Sequence, residues 1–293
     1  MTVMVTGASG LIGRALVPLL LRNDEVRACV RRPEAADALR AVGAKVAVGR
    51  FDDADTLAEI LKRVFTLIHL VGGPQQVDDD AVLSANHGSV VTALAAAREA
   101  GVRRFVLLSA TGASVDSTNR YLRAKGLAEE AVANSGIEHA IFRSTHAYGL
   151  GGTWLAATVE GATASPPFVI GDGRQSVAPV FVDDVAAVLA AADDSEAALE
   201  GTWALEGPDA VAMADLVALL SAPGDEAPVP LDPAEAASRL EVLGLPISRT
   251  AVELYALSSR ADAPGAAAAF GVTRTTLADG LRAVAQQTAG AER

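Results

Sequence analysis

The sequence predicts an α/β protein that consists of a doubly wound parallel sheet followed by a small helical C-terminal lobe. Strand-like and helix-like segments alternate from Thr2 to Arg143, which is typical of a parallel sheet with helices on both faces. The C-terminal residues are rich in Ala, Pro and Leu and have helical periodicity, with candidate helices at 233–243, 248–258 and 277–287.

Composition narrows the class of protein. Hydrophobic residues make up 51% of the 293 residues and aromatic residues only 4%, so the core must consist mostly of Ala, Val and Leu. A net charge of −12 repels phosphate backbones, and we expect no nucleic-acid partner. The single Cys29 excludes an internal disulfide and fits a reducing compartment. With neither a leader nor a membrane-length apolar run visible, we expect a cytoplasmic protein without a membrane partner.

The first strand and helix are joined by a turn with three regularly spaced glycines. Gly7 permits a tight turn, Gly10 lets a ligand approach the backbone, and Gly13 lets the helix pack close to the strand. The free N–H groups at the start of the helix attract phosphate charge, so this layout predicts a dinucleotide site. The predicted contacts in the turn are Gly7, Ser9, Gly10, Leu11, Ile12 and Gly13.

The segment Thr6-Gly-Ala-Ser-Gly-Leu-Ile-Gly13 resembles the signature of the extended and atypical short-chain dehydrogenase/reductases. That group includes NAD-dependent epimerases and dehydratases, NmrA-like proteins and an accessory subunit of respiratory complex I. Later motifs extend the resemblance to about residue 215. It implies a Rossmann fold, a nicotinamide cofactor and a small-molecule substrate. It leaves open whether the protein is a monomer or a homodimer.

The second strand, at 25–30, ends in Arg31 and Arg32. A carboxylate at this strand end would bind both ribose hydroxyls and select NAD, whereas arginine accommodates the 2′-phosphate of NADP. Both arginines are therefore candidate cofactor contacts, and NADP is the expected cofactor with NAD possible. The alternative is a solvated basic loop.

The segment after the third strand, at 45–48, lies near the adenine in the resembled family. That family usually has Asp where this chain has Arg50. Phe51 and Asp52 are retained as candidate contacts. Asp53 is expected to cap the following helix, and Asp52 either caps it too or contacts the cofactor.

The fourth strand is the near-continuous apolar run at 65–71. The resemblance places Val71 and Gly72, which close this strand, beside the cofactor. We interpret His69 as a hydrogen-bonded core histidine rather than a catalytic one. Asn86, in a helix predicted at 80–100, either braces that helix beside the site or is a surface residue without a role.

The fifth strand ends in Ser109 and Thr111, and either hydroxyl could contact a substrate oxygen. Tyr121 and Lys125 follow at positions i and i+4, so they share one helix face. A nearby ammonium lowers the pKa of a phenol, which lets tyrosine exchange a proton with a substrate during hydride transfer. The resemblance also assigns Lys125 to the ribose. These four residues are the candidate catalytic group.

The later segments complete the expected layout. The first domain is placed at 1–205, with 145–180 partly on the substrate side, and the small lobe at 206–293. Asp183 is expected to cap the helix that follows it. No metal-ligand cluster is visible, so no metal site is expected.

The combined prediction is an NAD(P)-dependent oxidoreductase or epimerase that acts on a small carbonyl, alcohol or sugar-derived substrate. Arg50, Ser144 in place of the family's usual proline, and the short interval between Ser109 and Tyr121 depart from the epimerase pattern. The short interval favours the atypical and NmrA-like branch, in which catalysis is not universal. The alternative is therefore a non-catalytic dinucleotide-binding redox sensor or assembly protein.

Overall fold

The computed structural model describes residues 1–49, 54–76, 78–195 and 199–291. Arg50, Phe51, Asp52 and Asp53 lie outside the described residues, so their predicted roles stay predictions. The described strands are β1 (Thr2–Thr6), β2 (Glu25–Val30), β3 (Lys45–Val48), β4 (Thr66–His69), β5 (Arg104–Ala110), β6 (Glu138–Ser144), β7 (Ala147–Tyr148), β8 (Phe168–Ile170), β9 (Ser176–Val177), β10 (Val180–Phe181), β11 (Glu200–Leu205), β12 (Val211–Ala212) and β13 (Val229–Leu231).

The helices connect these strands, and short 3₁₀ and π turns extend two of them. The described α-helices are α1 (Leu11–Leu20), α2 (Ala36–Ala41), α3 (Ala54–Leu61), α4 (Asp79–Leu83), α5 (Ser89–Ala100), α6 (Arg120–Ala133), α7 (Thr153–Thr163), α8 (Val182–Asp193), α9 (Met213–Leu220), α10 (Pro233–Val242), α11 (Arg249–Tyr255), α12 (Ala266–Ala269) and α13 (Leu277–Ala291). Within the described ranges, no helix combines the length and apolarity needed to cross a membrane.

The central sheet has seven strands in the order β3-β2-β1-β4-β5-β6-β11, and every neighbouring pair is parallel. The strand order reverses between β1 and β4. In open parallel sheets, ligands bind outside the carboxyl ends of the strands at such a reversal. The Rossmann fold predicted from the sequence is thus confirmed, and the topology places the glycine turn after β1 at the expected ligand position.

Two apolar cores cover the faces of the sheet. On one face, α1 and α8 pack through residues such as Leu16 and Leu189. On the other face, α3, α5 and α6 pack through Leu57, Leu94 and Val132. Because both faces are covered, the inner strands are apolar almost throughout, and this is why they could be recognised in the sequence.

A third core belongs to the lobe and draws on two separate parts of the chain. It joins α7 and β8 to α9, α10, α11 and α13, with Trp154, Phe168 and Tyr255 among its buried side chains. By contrast, α12 packs on the sheet through Ala266. The predicted domain boundary at residue 205 stays a prediction, while the packing shows that the lobe includes segments from before it.

Two local predictions differ from the structure. The helix predicted at 80–100 contains a π turn at Ser84–Gly88, between α4 and α5. The predicted cap at Asp183 is wrong, because α8 begins at Val182 and Asp183 lies within its first turn. The buried Asp184 has a structural role instead: it accepts hydrogen bonds from the backbone and the hydroxyl of Thr275 at 2.6 and 2.7 Å.

Candidate active site

The turn after β1 is shaped by close backbone packing. Gly7 has a φ of +74°, and a Cβ there would lie 2.8 Å from the carbonyl carbon of Leu70, just beyond β4. A Cβ on Gly13 would lie 2.5 Å from the carbonyl oxygen of Ala8. No side chain caps the start of α1. The N–H groups of its first turn are therefore available to a phosphate, and this cradle fits a dinucleotide.

Asn86 holds the loop that follows β4. Its Oδ1 accepts a hydrogen bond from the Gly73 N–H at 2.8 Å, and its Nδ2 donates to the Gly73 and Val82 carbonyls at 3.0 and 2.9 Å. The side chain is completely buried. Of the two roles left open for Asn86, the structure shows the brace. Val71 and Gly72, the predicted cofactor contacts, lie in the same loop directly beside Gly73.

Arg31 and Arg32 follow the end of β2, and both are exposed. Their guanidinium groups are therefore accessible to a ligand at this edge of the sheet. This position is compatible with the predicted contact to a 2′-phosphate.

A cavity of about 360 Å³ opens beside the glycine turn; we call it the central cavity. A larger open groove of about 510 Å³ beside α10 and α11 contains none of the predicted site residues. The central cavity is lined by Leu11 and Ile12 of α1, residues 72–75 after β4, residues 108–111 at the end of β5, Tyr121, residues 144–147 after β6, residues 151–154, Leu254, Tyr255 and Ser259.

Tyr121 and Lys125 lie on one face of α6, as their spacing predicts. Asn119 caps this helix by accepting hydrogen bonds from the Tyr121 and Leu122 N–H groups. The Lys125 ammonium lies 5.9 Å from the centre of the Tyr121 ring and donates to the Leu108 carbonyl at 2.9 Å. Helix α6 therefore brings the phenol to the cavity, with the lysine behind it.

The pKa values of Tyr121 and Lys125 differ from those expected from the sequence. Burial raises the pKa of Tyr121 above its ordinary value, and the nearby Tyr255 adds to this effect. The expectation that Lys125 lowers the pKa of Tyr121 is therefore not met. Burial also lowers the pKa of Lys125 to about 8, although Glu129 opposes this shift. Tyr121 is thus protonated at neutral pH.

Ser109 and Thr111, between which the sequence could not choose, have different surroundings. Ser109 donates a hydrogen bond to Oε1 of Glu129 at 2.5 Å, so its proton is already engaged. The Thr111 hydroxyl is buried and has no hydrogen-bond partner. Both residues line the central cavity. Thr111 is therefore the hydroxyl that remains free to donate to a ligand.

Glu129 organises a network that the sequence did not indicate. It accepts hydrogen bonds from Arg143, of which the shortest is 2.6 Å, in addition to that of Ser109. Arg143 also pairs with Asp262 at 3.1 Å, and Asp262 accepts from the Gly112 N–H at 2.9 Å. This network attaches a lobe segment to the end of β5. The i, i+4 spacing of Lys125 and Glu129 was the only available signal.

His69 is a core residue, as predicted. Its Nδ1 lies 3.0 Å from the Thr6 hydroxyl and its Nε2 lies 3.1 Å from the Ser89 hydroxyl. Burial, the larger effect, and the nearby Lys125 lower the pKa of His69 to about 3. The ring is therefore neutral and has its hydrogen bonds satisfied within the protein.

His146, Trp154 and Tyr255 form an aromatic cluster; the sequence placed the first two in a segment partly on the substrate side but did not connect them with Tyr255. The His146 and Trp154 rings stack with their centres 5.1 Å apart, and Tyr255 meets the His146 ring edge-on at 5.6 Å. Burial lowers the pKa of His146 to about 4. All three line the central cavity. Since Tyr255 lies far along the chain from His146 and Trp154, no linear motif connects all three.

Three carboxylates at the opposite end of the sheet also come together, although no metal-ligand group was expected. Ligand atoms of Asp24, Asp193 and Asp194 lie within 4.8 Å of one another. Asp24 pairs with the amino-terminal nitrogen of Met1, and Asp194 accepts from Asn23 at 3.2 Å. Asp24 therefore binds the amino-terminal nitrogen, and Asp194 binds the turn that follows α1.

Comparisons with known proteins point to nicotinamide-binding proteins. The sequence profile of the NAD(P)H-binding family matches residues 7–196. The chain is 32% identical, over 74% of its length, to subunit 9 of the NADH dehydrogenase 1 alpha subcomplex from Arabidopsis thaliana. It is 30% identical, over 64% of its length, to a ceramide reductase from Caulobacter vibrioides. The matches span 56% and 60% of these two relatives.

A solved structure has the same fold along nearly the whole chain. The NADPH-dependent quinone oxidoreductase from Escherichia coli, complexed with NADPH, superimposes with a TM-score of 0.77 at 21% identity. The match covers 98% of this chain and 99% of that one. Further relatives are named as reductases and as a sugar epimerase.

Proposed function

The chain belongs to the NAD(P)H-binding family, and from this premise we propose that it is an oxidoreductase that reduces a small carbonyl substrate in the central cavity. The observation that carries this proposal is the presence of two hydroxyl-bearing residues in one cavity. Tyr121 and Thr111, whose hydroxyl has no hydrogen-bond partner, both line this cavity, which also borders the start of α1. A carbonyl oxygen between them would find both a hydrogen-bond donor and a proton donor.

The chain's cofactor is a nicotinamide dinucleotide, which supplies or accepts a hydride when bound. The glycine turn would hold its phosphates, and the loop braced by Asn86 would border it. The exposed Arg31 and Arg32 support NADP as the preferred form, because a guanidinium group matches phosphate geometry. The buried Lys125 is the residue proposed to contact the ribose.

The protonated Tyr121 phenol can act as the proton donor of a carbonyl reduction. Because burial raises its pKa, the phenol carries its proton at neutral pH and can give it to a carbonyl oxygen as the alcohol forms. Thr111 would donate a hydrogen bond to the same oxygen and stabilise the developing negative charge.

The raised pKa of Tyr121 also supports the second candidate function, a protein that binds the dinucleotide without catalysis. Lys125 donates to a backbone carbonyl, and the phenol is not tuned towards the phenolate in this structure. A protein that only binds the dinucleotide, as a redox sensor or an assembly subunit, does not need a tuned tyrosine. In that case, partner binding would respond to the redox state of the cofactor.

Substitution of Tyr121 separates these functions. We expect Tyr121→Phe to lower NADPH-dependent carbonyl reduction by about 10²–10⁴-fold, because only the proton-donating hydroxyl is lost. Dinucleotide affinity should stay within about twofold of the wild type, since ring packing is retained. Lys125→Met should reduce both quantities. Turnover should be followed as NADPH absorbance with a panel of small ketones and aldehydes.

Two outcomes would count against the proposed carbonyl reduction. Wild-type turnover by Tyr121→Phe would contradict the catalytic role of Tyr121. If the wild-type protein binds the dinucleotide but reduces none of the carbonyl compounds, the sensor function is favoured instead.

A further inference from the structure

Three residues that line the central cavity each have a buried polar atom without a hydrogen-bond partner. Among the described residues, these atoms are the Thr111 hydroxyl, Nε2 of His146 and Nε1 of Trp154. Buried polar atoms are normally paired, because an unpaired one costs about 1–3 kcal/mol. Thr111 is accounted for by the proposed reduction. His146 and Trp154 are not, and they mark a second polar position in the same cavity.

The surroundings of this second position are aromatic and flat. The His146 and Trp154 rings are inclined by only 13° to each other, and Tyr255 stands at 90° to the His146 ring. Tyr255 is held by a hydrogen bond of 3.2 Å between its hydroxyl and that of Thr153. Aromatic walls of this kind favour a planar ligand, which gains contact area and offset or edge-on ring packing.

The backbone fixes His146 in place. The His146 carbonyl accepts a hydrogen bond from the Val180 N–H at 3.0 Å. The hydroxyl of the preceding Thr145 donates to the Ala178 carbonyl at 2.6 Å. The ring is therefore presented to the cavity by a segment that is tied to β10, so its nitrogen atoms are preorganised for a ligand.

Charge limits what the cavity accepts. Of the described residues that line it, none is Asp, Glu, Lys or Arg. Burying an ionised group without a partner is strongly unfavourable. The pKa of His146 is lowered to about 4 by burial, so its ring supplies no positive charge at neutral pH. The cavity therefore disfavours a carboxylate or a phosphate at this end.

We propose that the His146–Trp154 end of the cavity recognises an uncharged, planar substrate that carries a second hydrogen-bonding group opposite its reducible carbonyl. This inference rests on the proposed function and deepens it. The carbonyl lies at Thr111 and Tyr121, and a hydroxyl or second carbonyl at the other end pairs with His146 or Trp154. His146 is then a specificity-determining residue, and sugar nucleotides, with their charged pyrophosphate, are excluded.

Three probes of nearly equal size test this proposal by calorimetric titration of the NADP⁺-saturated protein at pH 7. They are 4-(hydroxymethyl)acetophenone, 4-ethylacetophenone and 4-acetylbenzoate, which differ only in the group opposite the ketone. We expect the hydroxymethyl probe to bind about three- to tenfold more tightly than the ethyl probe, because it can form one additional hydrogen bond. The carboxylate should bind at least about tenfold more weakly than the hydroxymethyl probe.

Two variants assign the preference to His146. His146→Phe keeps an aromatic ring but removes both nitrogen atoms, so the hydroxymethyl and ethyl probes should bind within about twofold of each other. His146→Asn keeps a hydrogen-bonding group and should restore part of the preference. His139→Phe, which replaces a histidine outside the cavity, is the matched control and should behave as the wild type.

The proposal is overturned if the first two probes bind alike, if the carboxylate binds best, if His146→Phe retains the preference, or if none of the probes binds. Because these titrations need no turnover, they fail independently of the proposed reduction. A probe preference that depends on His146, together with a Tyr121→Phe variant of unchanged turnover, would retain this inference and remove the catalytic assignment.

Discussion

The two hydroxyl residues at the end of β5 show how neighbouring residues of similar chemistry can have different roles. Ser109 is committed to the buried Glu129, whereas Thr111 is buried without a partner. Both could have been proposed from the sequence, because Ser and Thr at a strand end are equally suited to contact a substrate. The choice depends on Glu129, which lies 20 positions beyond Ser109 and on another element.

This difference predicts opposite effects for two conservative substitutions. Thr111→Val should lower turnover by about 10²–10³-fold, as expected for the loss of one donor to a developing oxyanion. It should not lower the free energy of unfolding, because it replaces an unpaired hydroxyl with a methyl group. Ser109→Ala should lower the free energy of unfolding by about 1 kcal/mol, because Glu129 loses a donor. Steady-state kinetics and urea unfolding measure the two effects.

Ser109→Ala is also the matched control for the kinetic effect, and its turnover should stay within about threefold of the wild type. If Ser109→Ala loses turnover and Thr111→Val does not, the assignment of the two hydroxyls is reversed.

The affinity for the dinucleotide should depend on pH through Lys125. Its pKa is lowered to about 8 by burial in the ligand-free protein. A bound dinucleotide carries negative charge and favours the ammonium, so binding should raise this pKa. A group whose pKa rises on binding contributes affinity that is fully present below its free pKa and is lost as the pH rises from there through the higher pKa of the bound state. Dinucleotide affinity should therefore weaken as the pH rises above about 8.

Lys125→Met provides the test of that assignment. Calorimetric titrations across the same pH range should show weaker binding by this variant and almost no pH dependence. A pH dependence that persists undiminished in Lys125→Met would mean that another group is responsible.

At the scale of elements, the sequence predicted the strands of the sheet closely. The predicted bounds of β2 and β3 agree with those observed, Glu25–Val30 and Lys45–Val48. Buried parallel strands require apolar side chains on both faces, and that requirement is visible in a single sequence. The π turn at Ser84–Gly88 was not predicted; Asn86 within it contacts Gly73 in the loop before α4, and such a contact has no local sequence pattern.

Substitution of Asn86, which lies in that π turn, tests the role of its contacts with Gly73. Asn86→Ala should lower the free energy of unfolding by about 2–3 kcal/mol, because the N–H and carbonyl of Gly73 lose their partner. It should also weaken dinucleotide binding, since the loop at 71–73 is no longer held beside the cofactor. Urea unfolding and calorimetric titration measure the two quantities.

Ser84→Ala is the matched control, because Ser84 is exposed in the same π turn. Its free energy of unfolding should change by less than about 0.5 kcal/mol. Unaltered stability and dinucleotide affinity in Asn86→Ala would show that Asn86 is not the brace of the loop.

For the whole molecule, the order of strands and helices predicted the topology, and the reversal between β1 and β4 then located the site. The glycine turn and the Tyr121–Lys125 pair were visible because each is a short linear motif. The contacts that form the His146–Trp154 end of the central cavity could not be predicted from the sequence. Thr153 and Tyr255 meet across 102 positions of the chain, and such contacts are made by the lobe rather than by any local pattern.

We expect a nicotinamide dinucleotide to bind at this site with its 2′-phosphate against Arg31 and Arg32. Calorimetric titration of the wild-type protein with NADPH and NADH measures this preference. NADPH should bind at least about tenfold more tightly, and Arg31→Ala/Arg32→Ala should remove the preference. Arg40→Ala, on the exposed face of α2, is the control and should retain it. Equal wild-type affinities would contradict the 2′-phosphate assignment. Binding of neither dinucleotide would contradict the assignment of a nicotinamide cofactor to this site.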